Sequence, residues 1–292
     1  MTAALLAALF VLFLWWFSTG IILYLDGLPA RTYRWSVAGA TLLMLAGVAI
    51  VATTRDMPDV HGACAAFAGA LLVWGWNELL FLTGMVTGTR RTACPEAAKG
   101  WRRFVYGAQS IIYHELLLVA SGLVLALLCA GAANQLAVQT FGLLWLMRLS
   151  TKLNIFLGVP NLSIEFLPPH LKYLASFFQL KPMNLLFPVS VTLATMALVF
   201  VLAQAFAPAA TAGDQVSASI LAALLALAIL EHWFLVLPLR SGDLWKWGMA
   251  SHSKTRHEPA PRPEILQVTH IQSAFGNKNR FAKTAVAEPI GR

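Results

Sequence analysis

The sequence predicts an all-α integral membrane protein: a bundle of about seven transmembrane helices, with an interfacial helical segment between the fifth and sixth. Three observations carry this reading. The first is composition, since 58% of the 292 residues are hydrophobic and 12% are charged, against roughly 45–50% and about 25% in a soluble domain. Twelve charged residues fall within 241–292, which leaves 22 in the first 240 positions. So few charges cannot cover a soluble fold of that size, which excludes a cytosolic enzyme and a secreted disulfide scaffold. The second is the length of the apolar runs. They reach the ~20 residues needed to cross a hydrocarbon core and lack the period-2 alternation of barrel strands. The third is the uneven placing of Lys and Arg among the loops.

In chain order, the spans fall near 3–25, 36–53, 60–86, 104–131, 135–157, 185–207 and 216–239. The first is too long in its apolar run for a cleaved signal peptide, and no Lys or Arg precedes it. Within it, Ser18, Thr19 and Gly20 suit close helix contact, and Asp26 beside Gly27 and Pro29 reads as a turn. Between the fifth and sixth spans, residues 159–184 mix aromatic and apolar positions with Lys172, Lys181 and internal prolines, which suits a segment lying in the membrane interface. Leu244-Trp245-Lys246-Trp247 reads as a second interfacial anchor. Residues 1–249 thus form a polytopic membrane domain. Residues 250–292 form a flexible basic cytoplasmic tail with a short docking segment around Ile265–Phe275.

Orientation follows from the basic residues. The first, third and fifth loops and the chain from Arg240 onward hold 18 of the 21 Lys and Arg residues. Only Arg55 lies on the opposite side, while Arg148 and Lys152 sit inside a span. The positive-inside rule then puts the N-terminus outside and the tail in the cytoplasm. The same split explains the formal charge of +8 without nucleic acid. No Walker, GxGxxG, GxSxG or zinc-finger spacing occurs, and Cys64, Cys94 and Cys129 form no CxxC pair. The basic loop from Arg90 to Arg103 marks topology and can also meet anionic lipid or an acidic partner.

Ionisable side chains inside a bilayer are costly, so each needs a partner or a task. Glu78 lies on the third span, His114 and Glu115 on the fourth, Arg148 and Lys152 on the fifth, and Glu231 and His232 on the seventh. Counted from the cytoplasmic ends at 1.5 Å per residue, Glu78, His114, Arg148 and Glu231 all fall roughly 13–17 Å deep. Arg148 and Lys152 are spaced i, i+4, so one helical face presents both cations. Asn134 and Asn154, near span ends, read as helix-terminus partners.

Three uses of this layer compete. It can be structural, with carboxylates and cations tying helices together. It can bind a cofactor: His114 or His232 as axial ligand to the metal of a tetrapyrrole, Arg148 and Lys152 on an anionic group, and Trp74, Trp76, Trp145 and Trp233 as flat walls. It can hold metals in a carboxylate-bridged oxygenase. That use is short of carboxylates, and the pairs His114-Glu115 and Glu231-His232 are adjacent, so their members point about 100° apart on a helix. The identity of any metal stays open. Proton transport would use the same acids but has no inverted repeat behind it.

Several strings resemble a known family. Trp15-Trp16-Phe17-Ser18-Thr19-Gly20, WGWNELLFLTGMVTG at 74–88, GWRRF at 100–104 and LWLMRLSTKLNIFLGVPNLSIEFLPPHLKYL at 144–174 are similar to the photosynthetic complex assembly protein 2 family, PuhE. PMNLLFPVSVT at 182–192 and LEHWFLVLPL at 230–239 extend the likeness over most of residues 1–249. Where that pattern has Ser-Ala-Lys-Leu-Asn and Thr-Gly-Pro-Arg-Arg, this chain has Ser150-Thr151-Lys152-Leu153-Asn154 and Thr87-Gly88-Thr89-Arg90-Arg91. The resemblance implies a multi-pass protein of the bacterial inner membrane, cytoplasmic or intracytoplasmic, in anoxygenic phototrophs. It implies work in reaction-centre and light-harvesting assembly and in bacteriochlorophyll supply. It carries no catalytic residues.

The expectation is therefore a non-catalytic assembly or pigment-handling factor. Glu78, His114, Glu115, Arg148, Lys152, Glu231 and His232 form its buried site, for a tetrapyrrole such as a bacteriochlorophyll intermediate or haem. Its partners would be membrane lipid, reaction-centre or light-harvesting subunits and pigment-synthesis enzymes. A membrane metalloenzyme of bacteriochlorophyll or carotenoid metabolism and a purely structural scaffold are the alternatives.

Overall fold

The computed structural model describes residues 2–239 and 241–254. Seven long helices appear where the apolar runs predict them: α1 (Thr2–Asp26), α2 (Tyr33–Thr54), α3 (Val60–Leu82), α4 (Gly100–Leu128), α5 (Leu136–Leu157), α6 (Leu186–Ala205) and α7 (Ala212–Phe234). A short α8 (Ala250–Lys254) follows. Among the described residues there is no β-strand, only an isolated bridge between Val159 and Leu180. Among the described residues, six helices are long and apolar enough to cross a membrane: α1 to α4, α6 and α7. The chain is a helical membrane protein. α5 is long enough as well, with 22 residues, but Gln139, Arg148, Lys152 and Asn154 interrupt its apolar character.

Helix ends are set by local chemistry. The Asp59 side chain accepts from the Gly62 amide at 2.7 Å to start α3, and Thr211 with Asp214 forms a reciprocal capping box on α7. Asn184 accepts from the Leu186 and Phe187 amides at 2.9 and 3.1 Å while donating to the Asn154 and Gly158 carbonyls. One side chain therefore starts α6 and satisfies the end of α5.

α3 is the central helix and buries fourteen residues, among them Gly62, Ala63, Ala66, Gly69 and Ala70. Lipid tails are as apolar as leucine, so helices in a bilayer associate by close packing, and small residues permit it. Gly69 meets Gly47 of α2 backbone to backbone: a Cβ on either would stand 2.7–2.8 Å from the other's carbonyl oxygen.

The loops sort to two ends. At one, Asn134 donates to the Thr54 and Met57 carbonyls, Arg55 donates to Leu128, and Gly213 lies against Pro58. At the other, Arg103 donates to the Phe156 and Phe177 carbonyls, Asn161 to Phe234 and Leu237, and His170 bonds Leu82. The loops rich in Lys and Arg share this second end.

Two segments differ from expectation. Residues 159–184 form 3-10 turns, Ile164–Phe166 and Pro169–Phe177, rather than one interfacial helix. Leu171, Leu174 and Phe177 are buried, the first two in a cluster with Phe81 and Leu82 at the end of α3, so the segment caps the bundle. Trp245 is also tucked inside, 5% exposed. Its indole donates to the Trp16 carbonyl at 3.0 Å, while Trp247 seats its ring on Gly20. The Leu244–Trp247 stretch therefore closes onto α1 instead of simply anchoring in lipid.

The expected tail begins too early at 250. α8 packs on α1, where His252 Nε2 meets Asp26 Oδ1 at 2.7 Å and the Leu23 carbonyl at 3.0 Å. Asp26 is thus a buried docking point, 1% exposed, rather than a simple turn residue. The remaining expected tail, with its docking segment at Ile265–Phe275, lies outside the described residues.

Candidate functional site

A cavity of about 510 Å³ opens within the half of the bundle that carries the basic loops. Its walls come from the C-terminal halves of α1, α3, α5 and α7 and the N-terminal part of α4. Leu167, Leu174 and Phe178 of the capping segment, together with Trp245, cover its end. Five of the seven predicted site residues line it: Glu78, Glu115, Arg148, Lys152 and Glu231. The rest of the wall is almost wholly apolar, with Trp15, Phe67, Trp74 and Phe81 among it.

The charges form a connected layer. Lys152 Nζ donates to Glu115 Oε1 at 2.7 Å, and the Trp145 indole donates to the same carboxylate at 3.2 Å. Trp15 donates its indole N–H to Glu231 Oε1 at 2.8 Å. Glu78 is held more loosely. Its Oε2 is 3.6 Å from Arg148 and its Oε1 is 3.8 Å from His114 Nε2, and Oε1 has no hydrogen-bond partner.

The histidines do not belong to the wall. His232 is buried with both ring nitrogens engaged, Nε2 with Ser150 Oγ at 2.9 Å and Nδ1 with the Ala228 carbonyl at 2.8 Å. No lone pair on it remains for an axial bond. His114 is fully buried against the Phe81 ring, 4.4 Å between centroids, off the cavity surface. The predicted aromatic walls also need correction, since only Trp74 of the four lines the cavity. Trp76 bonds Thr41 and Trp233 packs on Phe187. Trp15 and Trp245 take their places, brought in by α1 and by a segment far away in sequence.

The common level has a different origin from the one counted along the chain. α3 ends at Leu82 rather than 86, which puts Glu78 about one turn from its helix end. His114 lies fourteen residues into α4, roughly 21 Å. They meet because residues after α3 fold back along α4: the His114 amide donates to the Thr87 carbonyl at 3.0 Å and Arg90 to Gln109 at 3.2 Å. Sequence reasoning missed Trp15, Trp245 and the Asn77–Ser121 bond (3.1 Å) between α3 and α4. Trp15 had a signal, as a tryptophan at mid-span in the same helical register as Ser18 and Thr19, which line the cavity beside it.

Among the described residues, no three His, Cys, Asp or Glu side chains converge as a metal-ligand set. The described residues therefore lend the carboxylate-bridged oxygenase alternative no support.

Comparison with known proteins agrees in extent with this folded unit. The family described as "Protein of unknown function (DUF3623)" matches residues 1–256. The chain belongs to this family. A relative from Rhodobacter capsulatus, the "Uncharacterized 30.4 kDa protein in puhA 5'region", is 41% identical over 265 residues, 88% of this chain and 96% of the relative. The family match runs past Trp245 and His252, so it takes in the segment that closes onto α1. No solved structure matches the chain.

Proposed function

We propose that this protein is an inner-membrane assembly factor of the anoxygenic photosynthetic apparatus that holds a tetrapyrrole, a bacteriochlorophyll intermediate, in its intramembrane cavity. The observation that carries the reading is the cavity itself: apolar walls around a single charged layer, in the half of the bundle beside the basic loops. Its volume lies within the roughly 300–1,000 Å³ of small-molecule sites. The name of the Rhodobacter capsulatus relative places it in the puhA 5' region, which supports a photosynthetic role. The resemblance to PuhE points the same way.

The residues suit such a group in part. Trp15, Trp74 and Trp245 offer flat apolar faces, and the Arg148 guanidinium, 43% exposed, offers donors to a carboxylate or carbonyl edge. Glu78 Oε1 is a buried acceptor without a hydrogen bond, 3.8 Å from His114 Nε2. A bound tetrapyrrole would supply a metal centre and a pigment surface, and the chain's own work is to bind, orient and shield it. The positive-inside rule sets the cavity in the cytoplasmic leaflet, with the N-terminus outside. Reaction-centre or light-harvesting subunits and pigment-synthesis enzymes are then the partners that would give or receive the cargo.

The test is direct. Protein purified in mild detergent carries or takes up a chlorin, read as an absorption band that co-elutes with the protein. Ala108→Phe, which fills the cavity from α4 without touching a charge, abolishes uptake. A colourless wild-type preparation that takes up no added chlorin overturns the reading.

A further inference from the structure

The basic loop between α3 and α4 brings two arginines to one tyrosine. Tyr106, in the second turn of α4, has two guanidinium groups close to its ring: Arg90 Cζ is 4.5 Å from the centroid and Arg102 Cζ is 5.6 Å from it. Arg102 donates Nε–H to the Tyr106 hydroxyl at 3.0 Å, and Arg90 donates to the Ala93 carbonyl at 2.9 Å. These contacts gather two like charges around one ring, where they repel. Among the described residues neither arginine pairs with a carboxylate, Glu96 of the same loop included. Nor do the terminal nitrogens of the exposed Arg102 or the hydroxyl hydrogen of Tyr106 have an acceptor there. Three donor groups thus stand together without an anion.

α4 is also longer than a hydrocarbon core is thick. Its 29 residues extend about 43 Å, roughly 13 Å beyond that core. The far end, at Leu127 and Leu128, is apolar, so the surplus falls in the first turns. Trp101, exposed and stacked on Phe104, marks the interface there. Arg102, Tyr106, Tyr113, Leu116, Leu123 and Leu127 follow one another in steps of four, seven, three, seven and four residues, so they share one helix face. The last four are exposed. We propose that this face of α4 binds an anionic phospholipid of the cytoplasmic leaflet. Arg90, Arg102 and the Tyr106 hydroxyl hold the phosphate, and the acyl chains lie along Tyr113, Leu116, Leu123 and Leu127. Guanidinium groups form strong charge-assisted bonds to phosphate, and basic residues beside a span attract anionic headgroups. A free phosphate or an acidic protein would meet the arginines but leave the apolar stripe unused. None of the three headgroup residues lines the cavity, so the site is independent of what the cavity holds.

The experiment titrates the full chain in mild detergent with phosphatidylglycerol or phosphatidylcholine of identical acyl chains, and reads bound lipid by native mass spectrometry. Wild-type protein is expected to bind phosphatidylglycerol roughly tenfold more tightly. Arg90→Gln and Arg102→Gln each lower that preference by roughly fivefold, and the double variant abolishes it. Arg31→Gln, at a basic position of the first loop, leaves it within about twofold. Glycerol 3-phosphate, which has the phosphate without the chains, does not displace the lipid even in large excess. Equal binding of the two lipids by wild type, or a preference that survives in the double variant, overturns the proposal. Displacement by glycerol 3-phosphate assigns the arginines to a soluble phosphate and overturns the lipid. Arg102-dependent binding of a poly-glutamate peptide, with no lipid preference, does the same in favour of an acidic protein. Should the double variant not fold, the wild-type ratio and Arg102→Gln, a change at an exposed position, still decide.

Discussion

Glu115 and Lys152 show how a charge pair is accommodated inside an apolar bundle. Their side chains are 16% and 20% exposed, their contact is 2.7 Å, and Trp145 fills a further acceptor site on Glu115. Such a pair contributes little net stability compared with an apolar replacement, but breaking it strands the survivor. Glu115→Ala is therefore expected to destabilise the protein by up to about 3–5 kcal/mol, read from unfolding followed by tryptophan fluorescence in detergent. The double variant Glu115→Leu with Lys152→Met should recover most of that loss. An equal loss in the single and double variants would show that packing, not the stranded lysine, sets the cost. At this scale the sequence was informative about the cations, because i, i+4 spacing places Arg148 and Lys152 on one face of α5. It was uninformative about the histidines. Whether an imidazole faces a cavity or a neighbouring hydroxyl depends on Ser150, which lies 82 residues from His232.

At the scale of elements, the closing segments behave as docked parts. α8 is held on α1 through His252, whose imidazole is pushed above its usual value chiefly by the hydrogen bond to Asp26. Asp26 also feels His170, and its own backbone carbonyl accepts from the Tyr33 hydroxyl at 2.6 Å. The sign follows directly. A histidine whose folded value is raised lends its full stabilisation below the unfolded value of about 6.5, and loses it as pH climbs through the folded value. Hydrogen exchange at 250–254 should therefore quicken on raising the pH through and above that point, beyond the intrinsic pH effect. His252→Gln should exchange fast throughout, without that extra pH dependence. A wild-type profile parallel to that of the variant would remove His252 from the docking. Neither this dock nor the capping role of residues 159–184 is written in periodicity. The 3-10 turns there carry three buried apolar side chains, Leu171, Leu174 and Phe177, and their burial depends on α3 ending at Leu82.

At the scale of the whole molecule, alternation of the helices brings the loops with the most Lys and Arg to one end of the bundle. The cavity opens in that half. The positive-inside rule then predicts sidedness. A membrane-impermeant thiol reagent should reach a cysteine introduced at Lys172 in inside-out vesicles but not in intact spheroplasts. A cysteine at Asp56 should show the reverse. The same pattern for both positions would overturn the arrangement.

The sequence alone determined the membrane class, the seven helical stretches and the end that gathers positive charge. Each of these is a property of local runs: apolar length against bilayer thickness, and charge counted loop by loop. It also picked out five of the residues that now line one cavity, because any ionisable group in a span must find company. Only the tertiary structure decided which of those groups remain open. It removed His232 and His114 from the wall, brought in Trp15 and Trp245, and left one oxygen of Glu78 without a hydrogen bond. The reason is physical: hydrogen-bond satisfaction is settled between helices far apart in the chain, by where each one ends and what folds back against it.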